Sequence, residues 1–188
     1  MPKILYVVRH CQAEGQAPPA GLTERGKRQA DALCDFLAQL DVERIVCSSF
    51  VRALESIHPL GVRLGIPIEI DQRLVERTLS TMSLPDWRER LRASFHDLDL
   101  VIGGGGGESS RAAMQRASAV VAEVMRHPAQ RTAIVTHGNL MALMLKTFDD
   151  SIGFELWERL TYPDVYAVTA KGSHRTIHRI WTDPDPES

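Results

Sequence analysis

Short unbroken apolar runs alternate along this chain with stretches in which apolar residues recur every three to four positions. The first run, Ile4–Val8, is rich in β-branched residues and bounded by Pro2 and by polar residues, which predicts a buried strand. Residues 11–21 contain Gly15, Pro18, Pro19 and Gly21 and predict a loop. Thr23 is a good N-cap for a helix expected to reach Leu40, with Ala30, Leu33, Cys34, Leu37 and Leu40 on one face. Arg44–Cys47 reads as a second strand, followed by a helix starting near Phe50 that Pro59 is expected to kink or end. Ile66–Ile70 reads as a third strand.

Further on, Leu84–Phe95 predicts a short helix opened by Pro85, and Gly103–Gly107 a flexible loop. Glu108–Arg126 predicts a helix with Met114, Ala117, Val121 and Val124 on its inner face. Thr132–Thr136 is another strand, Leu140–Thr147 a helix, and Val165–Thr169 and Thr176–Trp181 two late strands. This alternation implies an α/β fold with a sheet parallel in its centre and helices on both faces. No repeat or linker interrupts it, so residues 1–182 are expected to form one domain, followed by a short acidic tail at 183–188.

Composition narrows the function classes. The chain has 188 residues and is 44% hydrophobic, enough for a substantial core without disulfides or a structural metal. Its net charge of -2, from 22 basic and 24 acidic residues, offers no basic field for nucleic acid, so anion binding must come from a few placed arginines. No stretch approaches the ~20 apolar residues of a membrane span, and Met1–Val8 is too short for a signal sequence with its flanks. Cys11, Cys34 and Cys47 form neither an even framework nor a C-x-x-C pair. A cytoplasmic location is the expectation.

The candidate chemistry comes from a topological rule: ligands of open α/β sheets bind beyond the carboxyl ends of the parallel strands. After the first strand come Arg9 and His10; after the second, Ser48, Ser49 and then Arg52; after the third, Glu76; after the later strand, His137, Gly138 and Asn139. Guanidinium groups bind a phosphate dianion through forked hydrogen bonds. A neutral imidazole attacks phosphorus, a second one stabilises the equatorial oxygens, and a carboxyl group protonates the leaving oxygen. Glu69 and Glu108 are the alternatives to Glu76 for that last task. No cofactor or metal is expected, because there is no His-Glu-x-x-His and the histidines lack ligand spacing. Gly103–Gly107 is followed by Glu108-Ser109 rather than the Lys-Ser or Lys-Thr of a P-loop. Cys11 has Ala17, not arginine, six residues on, which argues against a cysteine nucleophile.

The segment Val8-Arg9-His10-Cys11-Gln12 resembles the Arg-His-Gly signature of the histidine phosphatase superfamily, which includes the cofactor-dependent phosphoglycerate mutases. Leu22-Thr23-Glu24-Arg25-Gly26, Ser48-Ser49 with Arg52-Ala53, Arg73-Leu74-Val75-Glu76, Gly107-Glu108-Ser109 with Arg116, and Thr136-His137-Gly138-Asn139 continue the resemblance in order over roughly residues 3–147. The resemblance implies a phosphoglycerate mutase-like three-layer α/β sandwich with a mostly parallel sheet. It implies His10 as nucleophile, Arg9, Arg52 and His137 as holders of the phosphoryl group, Glu76 as proton donor, and Gln16, Gly138 and Asn139 among the substrate-binding residues. The chain departs from the usual pattern at Cys11, Ala13, Gln16 and Ser56-Ile57. A phosphatase acting on a small phosphorylated substrate or a phosphoprotein is expected. The alternatives are mutase-type transfer, which Gly138-Asn139 resembles, and a weakly active phospholigand-binding module.

Overall fold

The computed structural model describes residues 2–80, 84–103, 106–171 and 174–182. Strand β1 (Lys3–Arg9) lies within a six-stranded sheet of order β3-β2-β4-β1-β5-β6, with β2 at Arg44–Cys47, β3 at Ile68–Ile70 and β4 at Arg131–Thr136. These four strands are parallel to one another. Strand β5 (Asp164–Lys171) runs antiparallel to β1, and β6 (His174–Arg179) antiparallel to β5. The register sets Arg9 opposite Thr136 on one side and Asp164 on the other.

Side chains alternate across the pleat, so each strand feeds two cores. Leu5, Val7, Val46, Ile134 and Val168 face a core shared with α3 (Trp87–His96), α4 (Ser110–Arg126), α5 (Gly138–Lys146) and α6 (Phe154–Arg159). Tyr6, Val8, Ile45, Cys47, Ala133 and Val135 face a second core under α1 (Glu24–Leu37) and α2 (Val51–Leu64). The architecture is therefore the expected three-layer α/β sandwich. Both faces of β1, β2 and β4 are covered, which is why those strands read as continuous apolar runs.

Local chemistry accounts for most element boundaries. Thr23 caps α1 by accepting from the Gly26 N–H (2.9 Å), and a 3-10 turn at Ala38–Leu40 finishes that helix. Ser109 caps α4 through the Ala112 N–H, so the helix begins at Ser110 rather than at Glu108. Pro59 does not end α2, which continues to Leu64. Proline removes one hydrogen bond, but Ile57, Leu60 and Gly61 on either side of it stay buried. Termination comes instead at Gly65, whose φ of 65° carries no Cβ penalty.

The third strand is shorter than its apolar run, starting at Ile68, and α6 has no counterpart among the predicted elements. Of the glycine run, Gly104 and Gly105 lie outside the described residues, as does the tail at 183–188. Just after the run, the Glu108 N–H donates to Thr78 O (2.8 Å), tying it to the segment that begins at Glu76. Among the described residues no helix is long and apolar enough to cross a membrane.

Candidate active site

The carboxyl ends of β1, β2 and β4 converge on a cavity of about 600 Å³ lined in part by Arg9, Gln16, Arg52, Glu76, Gly138 and Asn139. His10 and His137 sit behind this lining, 3% and 0% exposed, with ring centroids 5.0 Å apart. The two histidines, Arg9, Arg52 and Glu76 are thus brought together, whereas Ser49 bonds to Gln72 Oε1 and lies outside the lining.

His10 comes directly after β1, and its ring is fixed at both nitrogens. Nδ1 donates to Cys11 O (2.6 Å), and Nε2 accepts from Arg52 Nε (3.2 Å). A carbonyl can only accept and a guanidinium can only donate, so these contacts fix the tautomer with the lone pair on Nε2. Burial, followed by the cationic Arg52 and Arg9 against the opposing bond to Cys11, lowers the His10 pKa to about 3. The imidazole is therefore neutral and nucleophilic at ordinary pH. His137 contacts Ser48 Oγ through Nε2 (2.7 Å), while its buried Nδ1 has no partner among the described residues. Its pKa is also pushed well down, by burial first and then by His10 and the nearby arginines.

The two arginines are held by carbonyls, which leaves their charge available to a ligand. Arg52 Nη1 donates to Gln16 O and Ala17 O at 3.0 Å each, fastening the 11–21 loop to the site. Arg9 Nη1 donates to Leu160 O (2.9 Å) and Thr161 O (3.4 Å), and its buried Nε has no partner among the described residues. The Arg9 guanidinium is closely packed. The Tyr162 ring lies 3.5 Å from it, and a Cβ added at Gly138 would come within 3.1 Å. A side chain at position 138 would therefore require the guanidinium to give by a few tenths of an ångström.

Glu76 lines the cavity, whereas Glu69 pairs with Arg44 and Glu108 pairs with Arg116. The Glu76 carboxylate is positioned by backbone N–H groups: Oε1 accepts from Arg77 (2.8 Å) and Leu140 (3.0 Å), and Oε2 from Asn139 (3.0 Å). Both amide atoms of the Asn139 side chain are buried without partners among the described residues. Cys11 is fully buried, its amide donates to Ser56 Oγ (2.8 Å), and burial pushes its thiol pKa up to about 12. That environment makes a thiolate nucleophile unavailable. Among the described residues, no three His, Cys, Asp or Glu side chains are grouped to hold a metal ion.

Four aromatic residues of the cavity, Tyr162, Phe50, Trp87 and Trp157, are not among the candidates selected from the sequence. Tyr162 packs on His10 (5.4 Å between centroids) as well as on Arg9. It precedes β5, whose antiparallel course brings its start, rather than its end, to the catalytic edge of the sheet. A rule built on the carboxyl ends of strands therefore passes over it. Asp164, fully buried, anchors this corner by accepting from the Thr161 N–H (3.0 Å) and from Arg179 Nε (2.9 Å).

Fold and site together define an α/β protein with two buried histidines beside a cavity that Arg9 and Arg52 line. The chain belongs to the histidine phosphatase superfamily (branch 1), whose family model matches residues 5–182. It is similar in structure to mycobacterial glucosyl-3-phosphoglycerate phosphatase, with TM-score 0.77 and 23% identity over 95% of this chain and 98% of that one. The alpha-ribazole phosphatase from Shigella flexneri gives TM-score 0.76 at 21% identity, covering 95% and 96% of the two chains. Among curated proteins, "Uncharacterized protein Rv0525" of Mycobacterium tuberculosis is 32% identical over 79 residues. That match takes in 38% of this chain and 39% of the length of that relative.

Proposed function

We propose that this protein hydrolyses phosphate monoesters, without a metal, through a phosphohistidine formed on His10. The observation that carries this reading is the fixed tautomer of His10, a neutral imidazole with its Nε2 lone pair directed toward Arg52 beside the cavity. An arriving phosphoryl group competes for the Arg52 guanidinium and uncovers Nε2 as it binds. His10 Nε2 then attacks phosphorus, forming the N–P bond as the P–O bond to the leaving group breaks. Glu76, the only acidic residue among those described in the cavity lining, gives its proton to the departing oxygen. In the second step Glu76 takes a proton from water, whose oxygen attacks phosphorus and releases inorganic phosphate and free His10.

Arg9, Arg52 and His137 meet the charge on the equatorial oxygens throughout. When Ser48 donates its hydroxyl hydrogen to His137 Nε2, the proton on the partnerless Nδ1 becomes the donor that a phosphoryl oxygen satisfies. Gln16, Gly138 and Asn139 complete the substrate-binding surface.

The test is hydrolysis of p-nitrophenyl phosphate in the presence of EDTA. Wild type is expected to turn over with EDTA present, and His10→Ala is expected to lose activity by at least about a thousandfold, as removal of a covalent nucleophile does. Activity abolished by EDTA, or retained by His10→Ala, would overturn the mechanism.

A further inference from the structure

One aromatic ring touches both the proposed nucleophile and an arginine beside it. The Tyr162 ring centroid lies 3.5 Å from Cζ of Arg9 and 5.4 Å from the ring centroid of His10. At 3.5 Å the ring can only lie over the flat face of the guanidinium, as in a cation–π contact. The other face is closed as well. The Cβ position at Gly138 stands 3.1 Å from each of Cζ, Nε and Nη2 of Arg9, and a point that far from all three lies above their plane. Two groups this near cannot share one face, so the guanidinium is held flat between Tyr162 and the start of α5. Its Nη1 edge is pinned by Leu160 O and Thr161 O.

Ordinary packing does not account for Tyr162. The residue is partly buried, yet it belongs to neither of the two hydrophobic cores. A stiff corner carries it instead. The buried Asp164 carboxylate accepts from the Thr161 N–H (3.0 Å), and the Thr161 hydroxyl donates to Pro163 O (2.7 Å). Arg179 Nη2 donates to that same hydroxyl oxygen (3.0 Å). A long side chain that must be ordered when its ligand binds weakens affinity by up to about tenfold. A clamp already in place removes that cost.

We infer that Tyr162 is a positioning residue. Its ring holds the Arg9 guanidinium flat and at a set distance from His10, so that the cation is oriented before a phosphoryl group arrives. The role belongs to the ring and not to the phenolic hydroxyl. This inference rests on the phosphatase reading above for the anion that Arg9 meets, and it adds a residue acting through Arg9 rather than on the substrate.

The experiment measures binding of inorganic phosphate by calorimetry, and hydrolysis of p-nitrophenyl phosphate, in wild type, Tyr162→Phe and Tyr162→Leu. Leucine keeps apolar bulk without the flat face, so Tyr162→Leu is expected to weaken phosphate binding roughly three- to tenfold, with Tyr162→Phe within about twofold of wild type. The kcat for p-nitrophenyl phosphate should fall in Tyr162→Leu and recover in Tyr162→Phe. Melting of the phosphate-free Tyr162→Leu protein should match wild type, and a binding loss that only tracks a lowered melting temperature would overturn the inference. An equal loss in Tyr162→Phe and Tyr162→Leu would assign the effect to the hydroxyl and overturn it too, as would wild-type phosphate affinity in Tyr162→Leu. Tyr162→Met repeats the comparison if Tyr162→Leu fails to fold. A wild type that binds phosphate without hydrolysing p-nitrophenyl phosphate would count against the phosphatase reading alone, and the phosphate affinities would still decide the role of Tyr162. A wild type that binds no phosphate would overturn both.

Discussion

At the scale of single residues, the paired imidazoles tie the proposed catalysis to acid sensitivity. His10 and His137 stay neutral because burial removes the water that would solvate their charge. In the unfolded chain both titrate near the usual ~6.5. As pH falls below that value, the unfolded state takes up protons that the folded state refuses. Stability is therefore present above about pH 6.5 and lost as pH falls toward 3, where folded His10 also titrates. Each histidine contributes up to about 1.4 kcal/mol per pH unit within that window. Urea unfolding at a series of pH values should show ΔG falling between about pH 7 and pH 5, and His10→Gln or His137→Gln should flatten the fall. An unchanged slope in both variants would place the acid sensitivity elsewhere.

Among the helices and strands, α4 does more than cover the sheet. Arg116 on that helix donates from Nη1 to Arg73 O (2.5 Å) and Val75 O (2.9 Å), just before Glu76. The same guanidinium is fixed by Glu108, so α4 acts as a prop behind Glu76, the proposed proton donor. Arg116→Ala should cost about 1–3 kcal/mol through its unpaired partners and lower kcat for p-nitrophenyl phosphate more than it raises KM. Thermal melting and steady-state kinetics on one preparation check this, and a variant matching wild type in both would break the link. The sequence displayed β1, β2 and β4 well because strands buried on both faces appear as uninterrupted apolar runs. It displayed His10, Arg52 and His137 for a related reason, since each stands just beyond such a run. Short α6 was hidden because six residues give too little periodicity. Pro59 did not end its helix because tertiary packing outweighed one lost hydrogen bond. Arg77 was visible as a basic residue, but its burial and its bonds to Glu108 O and Ser94 Oγ are properties of the assembled structure alone.

For the molecule as a whole, sheet order and chain order differ: β4 inserts between β1 and β2, and β5 covers the other side of β1. Of the strands in this sheet β1 leaves the ribosome first, and at that point it has neither of its neighbours. About 120 residues separate the end of β1 from the start of β4, which takes roughly 6–25 seconds at ordinary elongation speeds. Through that interval the apolar run Leu5–Val8, both edges unpaired, is a client for whatever shields nascent chains. Ribosome-stalled chains exposing only β1 to β3 should be digested readily by protease, and those exposing β5 should resist. Early resistance would mean that β1 finds another partner first. Placing His10, the proposed nucleophile, at the end of β1 thus delays its final position until β4 and β5 have been made.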